Sequence, residues 1–254
     1  MLILLPPSEG KTGGGRGRPV DLATLSFPEL TTARATDMSS LITLCAEPES
    51  AATALGLGPT QAAEVTLNSR LASAPARLAS KLYTGVLYEA LDVETLPVAA
   101  RSRLRRTTVI FSGLWGAARF TDRIPAYRCS VGVNMPGLGG LGSFWRREMS
   151  PALTEAAGGG LVIDLRSGAY ASMWTPPANS ATVRVLHERL VSGVATRAVV
   201  SHFNKATKGR LVRDLALAGA RPRNATELAS VLRDLKYVVD VSRPGQLDVV
   251  VTEL

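Results

Sequence analysis

The sequence is poor in the residues that build disulfide frameworks and metal centres. Its 254 residues include two cysteines, Cys45 and Cys129, and two histidines, His187 and His202. The cysteines lie far apart in segments of different character, which excludes a disulfide framework and a CxxC redox pair. Two histidines without HxxxH spacing argue against a zinc site made of protein ligands. We predict no metal and no cofactor, and the cysteine usage favours a reducing cytoplasm.

Long apolar runs and acidic residues are also scarce. No run reaches membrane-spanning length, and Met1–Leu5 is too short for a signal-peptide core and lacks a basic flank. We therefore expect a soluble cytoplasmic protein without membrane contact. The sequence has 21 acidic residues and 29 lysines and arginines, which gives a net charge of +8. This excess favours polyanionic partners, with nucleic acid the first candidate, although a generally basic soluble protein is an alternative.

The order of apolar patterns predicts an α/β fold. Residues 27–104 have the pattern of short helices without a strand, and later apolar β-branched runs alternate with helical patterns. Strands are predicted at 1–5, 107–111, 161–165, 182–186, 197–203, 237–241 and 247–252, the last two as an antiparallel hairpin. Helices are predicted at 141–149, 151–157, 205–219 and 225–235. We expect one compact domain, 1–254, with a mixed sheet flanked by helices.

The segment after the predicted strand 107–111 carries three arginines. It runs from Ser112 to Arg128 and presents Arg119, Arg123 and Arg128. Open α/β sheets bind ligands at the carboxyl ends of their strands, and guanidinium groups pair well with carboxylate and phosphate oxygens. Core packing does not require such a segment, because buried arginines must be paired. We therefore expect an anion-binding cleft here.

Two lysines in the predicted helix 205–219 lie on its apolar face. At about 100° per residue, the core-facing stripe contains Leu211, Val212, Leu215 and Ala216. Lys205 and Lys208 project onto the same stripe and oppose the helix dipole in the first turn. A phosphate at this terminus would compensate both, and lysines that extend beyond the sheet edge are the alternative. An earlier charge run is typical of a solvated face: Arg101, Arg103, Arg105 and Arg106.

The segment Gly10–Thr12 after the first strand is similar to a P-loop but lacks two of its features. Leu5 occupies the position of the first glycine, and the glycines after Thr12 are a poor start for the required helix. We expect instead that Ser8, Lys11 and Thr12 form a loop that contacts an anion. A surface loop with solvated charges is the alternative.

Other polar and aromatic residues have both structural and functional interpretations. Asp164 lies in an apolar strand, where a carboxylate must be paired or neutral. A structural role in holding Arg166 or another guanidinium is favoured over that of a catalytic acid. Three tryptophans near turns are available either for core packing or for stacking on a base: Trp115, Trp145 and Trp174.

Taken together, the motifs resemble those of the YaaA peroxide-stress family of bacterial proteins. The matching segments are Leu2–Thr12, Leu82–Val86, Ser112–Gly116, Arg119 with Asp122, Ile124–Arg128, Ser143–Trp145, Val162–Leu165 with Ser167 and Tyr170, Ser201–Lys205, and Lys208–Gly209. The resemblance implies a fold peculiar to the family, a positively charged cleft, DNA binding and a helix-hairpin-helix-like element. It also implies protection of DNA during hydrogen peroxide stress, associated with limiting free iron.

The resemblance also assigns residues. It implies that the cleft cations are Lys11, Arg119, Arg128, Lys205 and Lys208. It places the hairpin at Tyr83, Thr84 and Gly85, between helices near 76–82 and 86–91. Such hairpins hold a backbone phosphate with main-chain amides and usually carry Gly-x-Gly, of which only Gly85 is present here.

These observations leave two principal functional hypotheses. The first is a non-enzymatic protein that binds DNA without sequence preference. The second is an enzyme acting on a small phosphorylated or nucleoside-like substrate in the same cleft, with Lys205 or Asp122 in proton transfer. A narrow cleft with a deep polar pocket at Lys205 favours the enzyme. A basic scaffold without pocket or phosphate affinity is a third hypothesis.

Overall fold

The computed structural model describes residues 1–13, 17–191 and 194–252. The helices are α1 Thr31–Leu44, α2 Pro48–Leu55, α3 Ala62–Ser69, α4 Ala79–Leu82, α5 Val86–Leu91, α6 Val98–Thr107, α7 Leu141–Ala157, α8 Gly168–Ala171, α9 Ser201–Ala218 and α10 Ala225–Asp234. The strands are β1 Leu2–Leu5, β2 Arg77–Leu78, β3 Thr108–Ser112, β4 Gly116–Arg119, β5 Arg123–Ile124, β6 Asn134–Met135, β7 Gly139–Gly140, β8 Val162–Asp164, β9 Ser180–Val191, β10 Val194–Ala198, β11 Val238–Arg243 and β12 Gln246–Val251.

An eight-stranded mixed sheet forms the centre of the molecule. Its order is β11-β12-β9-β8-β1-β3-β4, and β10 also pairs with β9. The five strands from β12 to β3 run parallel to one another, whereas β11, β10 and β4 are antiparallel to the strands they pair with. Helices α5, α6 and α9 pack together, while α10 contacts β9, β11 and β12. The expected α/β domain with a mixed sheet flanked by helices is thus confirmed.

The two central strands β1 and β8 are connected toward opposite edges of the sheet. The chain passes from β1 to its neighbour β3 on one side, and from β8 to its neighbour β9 on the other. All four residues of β1 are buried, as expected for a parallel strand covered on both faces. Diverging connections open a crevice at the carboxyl ends of such a strand pair.

Arg34 ties the helical segment to this sheet. It lies on α1, is fully buried, and donates to the carbonyl oxygens of Trp115 (3.1 Å) and Ala117 (2.7 Å) beside β4. Nη2, which binds Ala117, also donates to the carbonyl oxygen of Ser26 (2.8 Å), and Nη1 donates to that of Phe27 (3.3 Å). Four backbone acceptors thus satisfy one buried guanidinium.

Three element predictions were wrong. The strand predicted at 197–203 ends at Ala198 as β10, and α9 begins at Ser201. The helices predicted at 141–149 and 151–157 are one helix, α7, with Pro151 inside it. Pro151 removes one hydrogen bond, but the carbonyl that loses it belongs to the exposed Arg147 and can be solvated. The supposedly strandless segment 27–104 contains the short β2, which pairs with β5.

Candidate anion-binding site

A cavity of about 850 Å³ opens where β1 and β8 end. We name it the switch-point pocket. Its walls are residues 6–11 after β1, 85–88 at the start of α5, 127–132, 165–170 after β8, Val199, and Asn204, Lys205 and Lys208 near and on α9. This position agrees with the rule that open α/β sheets bind ligands outside the carboxyl ends of diverging strands.

Lys208 closes one wall of the switch-point pocket. Its side chain is buried, and Nζ donates to the carbonyl oxygen of Leu165 at 2.9 Å, just beyond the end of β8. Burial lowers the pKa of Lys208 to about 8, against an opposing effect of the Asp164 carboxylate. The adjacent Lys205 is exposed. Therefore only Lys208 follows the core-facing stripe, and the prediction that both lysines do so was wrong for Lys205.

Lys11 lies on the β1 side of the pocket. Its Nζ donates to the carbonyl oxygen of Ser8 at 2.9 Å and lies 4.2 Å from the centroid of the Tyr127 ring. The backbone is fixed by a bridge between Lys11 and Tyr83. Burial and, to a smaller degree, the Arg128 charge lower the pKa of Lys11 to about 8. The pocket is therefore lined by two amines, Lys208 and Lys11, whose pKa values are both lowered to about 8.

The balance of charge in the pocket is positive. Glu9 is the acidic residue among the lining residues, and its Oε2 lies 2.9 Å from Nη2 of Arg128. Arg166 also lines the pocket but is neutralised by Asp164, with N–O distances of 2.9 and 2.7 Å. Within the described residues, 1–13, 17–191 and 194–252, no carboxylate forms an ion pair with Lys11, Lys205 or Lys208. An anionic ligand would supply the missing counter-charge.

Asp164 has the structural role favoured from the sequence. Besides its two bonds with the carboxylate, the Arg166 guanidinium donates to the carbonyl oxygens of Tyr170 and Trp174, and the Arg166 amide also donates to Asp164. Its guanidinium carbon lies 4.3 Å from the centroid of the Phe111 ring. The pair fixes the chain after β8, where Lys208 finds its acceptor.

Phenolic hydroxyls form a buried network behind Lys11. The Tyr127 hydroxyl lies 2.9 Å from that of Tyr83 and 2.6 Å from Oγ of Ser112. The Tyr88 hydroxyl donates to the carbonyl oxygen of Pro6 at 2.7 Å. Burial raises the pKa of all three phenols well above the ordinary value. They therefore remain neutral and serve to position the loop that carries Lys11.

The structure brings most of the predicted anion-binding residues together, but not Arg119. Ser8, Lys11, Arg128, Lys205 and Lys208 line the switch-point pocket. Thr12 lies just behind the lining, where its amide bonds to the carbonyl oxygen of Leu82.

Arg119 lies away from this pocket because of strand direction. It pairs with Val109 near the start of β3, since β4 runs antiparallel and returns toward the amino end of the parallel strands. Its guanidinium bonds to the carbonyl oxygen of Arg106 and lies over the Phe27 ring. Arg123 bonds to the carbonyl oxygen of Ala76. The expected three-arginine rim is therefore reduced to Arg128.

The predicted hairpin is present as a turn, but its amides already have acceptors. The Tyr83 amide bonds to Ala79, that of Thr84 to Gly10, and that of Gly85 to the Glu89 carboxylate at 3.2 Å. The preceding helix is the single turn α4 rather than 76–82. Gly85 lines the switch-point pocket with a φ of 91°. Phosphate binding by the hairpin remains a prediction.

Asp122 and the three tryptophans make structural contacts rather than line the pocket. Asp122 is buried and accepts from the Ser26 amide and hydroxyl and from the Arg119 amide, away from the pocket. Trp115, Trp145 and Trp174 are buried and unavailable for stacking on a base. Glu9 and Tyr127 also line the pocket but were not predicted as site residues, although they lie two residues before Lys11 and one residue before Arg128.

A family profile described as Peroxide stress protein YaaA matches residues 1–242. The chain belongs to this family. A UPF0246 protein of Streptomyces coelicolor is 52% identical over all of both chains, and one of Corynebacterium efficiens is 43% identical over 95% of this chain and 96% of its own. An uncharacterized protein of Campylobacter jejuni is 30% identical over 72% of this chain and 70% of its own. The YaaA resemblance inferred from the motifs is thus confirmed.

Two general properties of this YaaA-family chain concern membranes and metals. In the ranges that the structure describes, no helix combines the length and apolar character needed to cross a membrane. Nor do three or more His, Cys, Asp or Glu side chains from those ranges cluster as potential metal ligands.

Proposed function

We propose that this chain is a cytoplasmic DNA-binding protein of the peroxide-stress response and that it holds DNA phosphates at the switch-point pocket. The observation that carries the proposal is the convergence of Lys11, Arg128, Lys205 and Lys208 on one cavity, where Glu9 supplies the one carboxylate among the described lining residues. The net charge of +8 supports attraction of a polyanion over a longer range. Membership of the YaaA family supports the peroxide-stress role.

The size of the pocket indicates how DNA would be held. Cavities that enclose small ligands have volumes of roughly 300–1,000 Å³, and about 850 Å³ accommodates a nucleotide unit rather than a duplex. A duplex would contact the mouth of the pocket, where Lys205 is exposed. A strand end or an unpaired nucleotide would reach Lys11 and Lys208 inside.

Binding to short duplex and single-stranded oligonucleotides at several salt concentrations tests the proposal. Affinity should fall as salt rises, with a log–log slope of about −0.9 per phosphate contact for a duplex and about −0.7 for a single strand. Lys205→Ala should weaken binding to all sequences and reduce the slope by about one. Arg147→Ala is the matched control, because it removes one exposed positive charge from α7, away from the pocket. Absence of binding at low salt, or equal loss in the control, would refute the proposal.

A second candidate is an enzyme acting on a small phosphorylated or nucleoside-like substrate. The concave pocket and its two amines of lowered pKa, Lys11 and Lys208, favour it, since perturbed groups in a cleft are typical of catalytic sites. Asp122 lies outside this pocket, so proton transfer would fall to a lysine. Mass spectrometry of the purified protein tests this candidate. A retained nucleotide or phosphorylated metabolite, displaced by small phosphates more readily than by DNA, would favour the enzyme.

A further inference from the structure

A second cavity, of about 530 Å³, lies at the opposite end of β1. Its walls come from the starts of β1 and β8, from α6, from the end of α9 and from residues 220–223. The apolar part of the lining is Met1, Ile3, Leu104, Leu161, Leu215, Ala216, Ala220 and Pro222. The lining also contains Thr107, Gly159 and Gly160. We name it the arginine-rimmed cavity, because four arginines line it as well: Arg103, Arg106, Arg221 and Arg223.

The charges at this rim are largely unbalanced. None of the described residues that line the cavity is an aspartate or a glutamate. Arg223 pairs with Glu227 at 2.8 Å, and Arg106 donates to the Ser102 hydroxyl at 2.6 Å. For Arg103 and Arg221, the described part of the chain supplies no carboxylate within ion-pair distance. Guanidinium groups beside an apolar wall therefore lack a counter-ion.

The position of Arg103 depends on a glycine at the end of α9. Gly219 terminates this helix with a φ of 65°, and a Cβ atom there would lie 2.7 Å from Nη2 of Arg103. The guanidinium thus packs directly against the bare backbone. This contact places Arg103 at the cavity, although the sequence of α6 alone suggested only a solvated charged face.

We propose that the arginine-rimmed cavity binds a small amphipathic anion, specifically a carboxylic acid with a medium-length alkyl tail. The carboxylate would accept paired hydrogen bonds from the guanidinium groups, and the tail would bury apolar surface against Leu104, Leu161 and Leu215. A small hydrophilic anion would pair with the arginines but bury no apolar surface. A neutral hydrocarbon would bury apolar surface but leave the arginines without a counter-ion. This site is separate from the switch-point pocket, since none of the described residues lines both cavities.

Isothermal titration and thermal unfolding of the full chain test the proposal with decanoate below its micelle concentration. Decyltrimethylammonium carries the same tail with the opposite charge, decanol lacks charge, and acetate lacks the tail. Decanoate should bind with a stoichiometry of one and raise the unfolding temperature. The other three compounds should bind at least about tenfold more weakly, as expected when one of the two interaction types is lost.

Substitutions locate the ligand. Arg103→Gln and Arg221→Gln should each weaken decanoate binding about tenfold, whereas Arg105→Gln, a change of the same type at an exposed position of α6 outside the cavity, should not. Ala220→Phe should fill the cavity and abolish binding while all arginines remain. It also keeps the test valid if Arg103→Gln fails to fold.

Three results would overturn the proposal. They are no decanoate binding, equal binding of decyltrimethylammonium, and decanoate binding that survives Ala220→Phe but is lost in Lys208→Gln. The last result would place the carboxylate in the switch-point pocket instead.

Discussion

Two lysines determine how the charge of the switch-point pocket changes with pH. Burial lowers the pKa of both Lys11 and Lys208 to about 8. Below this value both are ammonium groups that attract a phosphodiester; above it they become neutral. A phosphodiester does not titrate in this range, so the change in binding reports the protein. The proposed anion binding is therefore expected to weaken at mildly alkaline pH.

We predict that affinity for a short single-stranded oligonucleotide falls as pH rises through about 8. Once the free lysines are deprotonated, each one that must be charged in the complex reduces affinity by up to about tenfold per pH unit. Lys208→Gln should bind more weakly at pH 7 and show a shallower decline. Fluorescence anisotropy at constant ionic strength between pH 6.5 and 9.5 measures this. A flat wild-type profile would contradict it.

Cys129 lines the switch-point pocket but is poorly suited to peroxide chemistry. Burial, with a smaller effect of the Asp37 charge, raises the pKa of its thiol well above the ordinary value. Burial also raises the pKa of the Cys45 thiol. Because the thiolate is the form that peroxide oxidises, both residues are expected to be inert in the folded protein.

We therefore predict that hydrogen peroxide at concentrations that oxidise free cysteine leaves both thiols reduced. Alkylation after denaturation, followed by mass spectrometry, measures the remaining thiols. The unfolded chain, treated with peroxide in denaturant, is the control and should be oxidised. Rapid loss of the Cys129 thiol in the folded protein would show that the peroxide response involves thiol chemistry, not ligand binding alone.

The contact between α5 and α9 lies next to Lys208 and holds it in place. Gly209 lies in this contact, and a Cβ atom there would lie only 2.2 Å from the Leu87 carbonyl oxygen and 2.9 Å from Cβ of Ala90. Since these atoms belong to backbone and to a small side chain, the helices must separate to admit a methyl group. The neighbouring Lys208 would then move away from its acceptor, the Leu165 carbonyl oxygen.

Gly209→Ala should therefore lower the free energy of unfolding by about 1–3 kcal/mol and also weaken oligonucleotide binding. Gly142→Ala, in α7, is the control, because its nearest neighbour would be Oγ of Ser172 at an ordinary 3.4 Å. That variant should be neutral or stabilised by up to about 1 kcal/mol through helix propensity. Urea unfolding measures both. Equal stability of the two variants would contradict the tight contact.

Elements with strong local signals could be predicted from the sequence, whereas those decided by tertiary contacts could not. The apolar run closed by Pro6 predicted β1, and Pro244-Gly245 between two apolar runs predicted the final hairpin. Val199 and Val200 continue a β-branched pattern, yet the chain turns there into α9. The β propensity of these two valines is outweighed by the packing of α9 against α5.

The same distinction applies to the candidate site. Lys208 was recognised because a lysine on an apolar stripe is locally anomalous, and it is buried at the pocket. Arg119 was misplaced because the sequence does not show that β4 reverses direction and carries it away from the carboxyl edge. Arg128, nine residues later, returns to that edge through a loop. Strand direction, rather than residue type, separates the two arginines.

On the scale of the whole molecule, the sheet presents two different cavities at its two ends. The carboxyl end carries the switch-point pocket, with lysines, phenols and main-chain groups. The amino end carries the arginine-rimmed cavity, whose floor is largely apolar. Helix α9 contributes to both, with Lys208 near its start and Leu215 near its end. Both sites therefore depend on correct docking of the helices on the sheet.

Arg34 couples the helical segment directly to the sheet. Its pKa is lowered by burial to about 10, so it remains charged at neutral pH while it bonds to four carbonyl oxygens. Arg34→Met would keep much of the side-chain volume but leave those buried acceptors unpaired. We predict a loss of about 3 kcal/mol or more in the free energy of unfolding.

The same change should also reduce the cooperativity of unfolding. In the wild type, circular dichroism, dominated by the helices, and fluorescence of the three buried tryptophans should give one coincident urea transition. In Arg34→Met the helical segment loses its bonds to Trp115 and Ala117, so the two signals should separate or the transition broaden. Arg70→Met, at an exposed position in the same segment, is the control and should behave like the wild type. If Arg34→Met retains the wild-type midpoint and a single sharp transition, contacts other than this guanidinium must join the helices to the sheet.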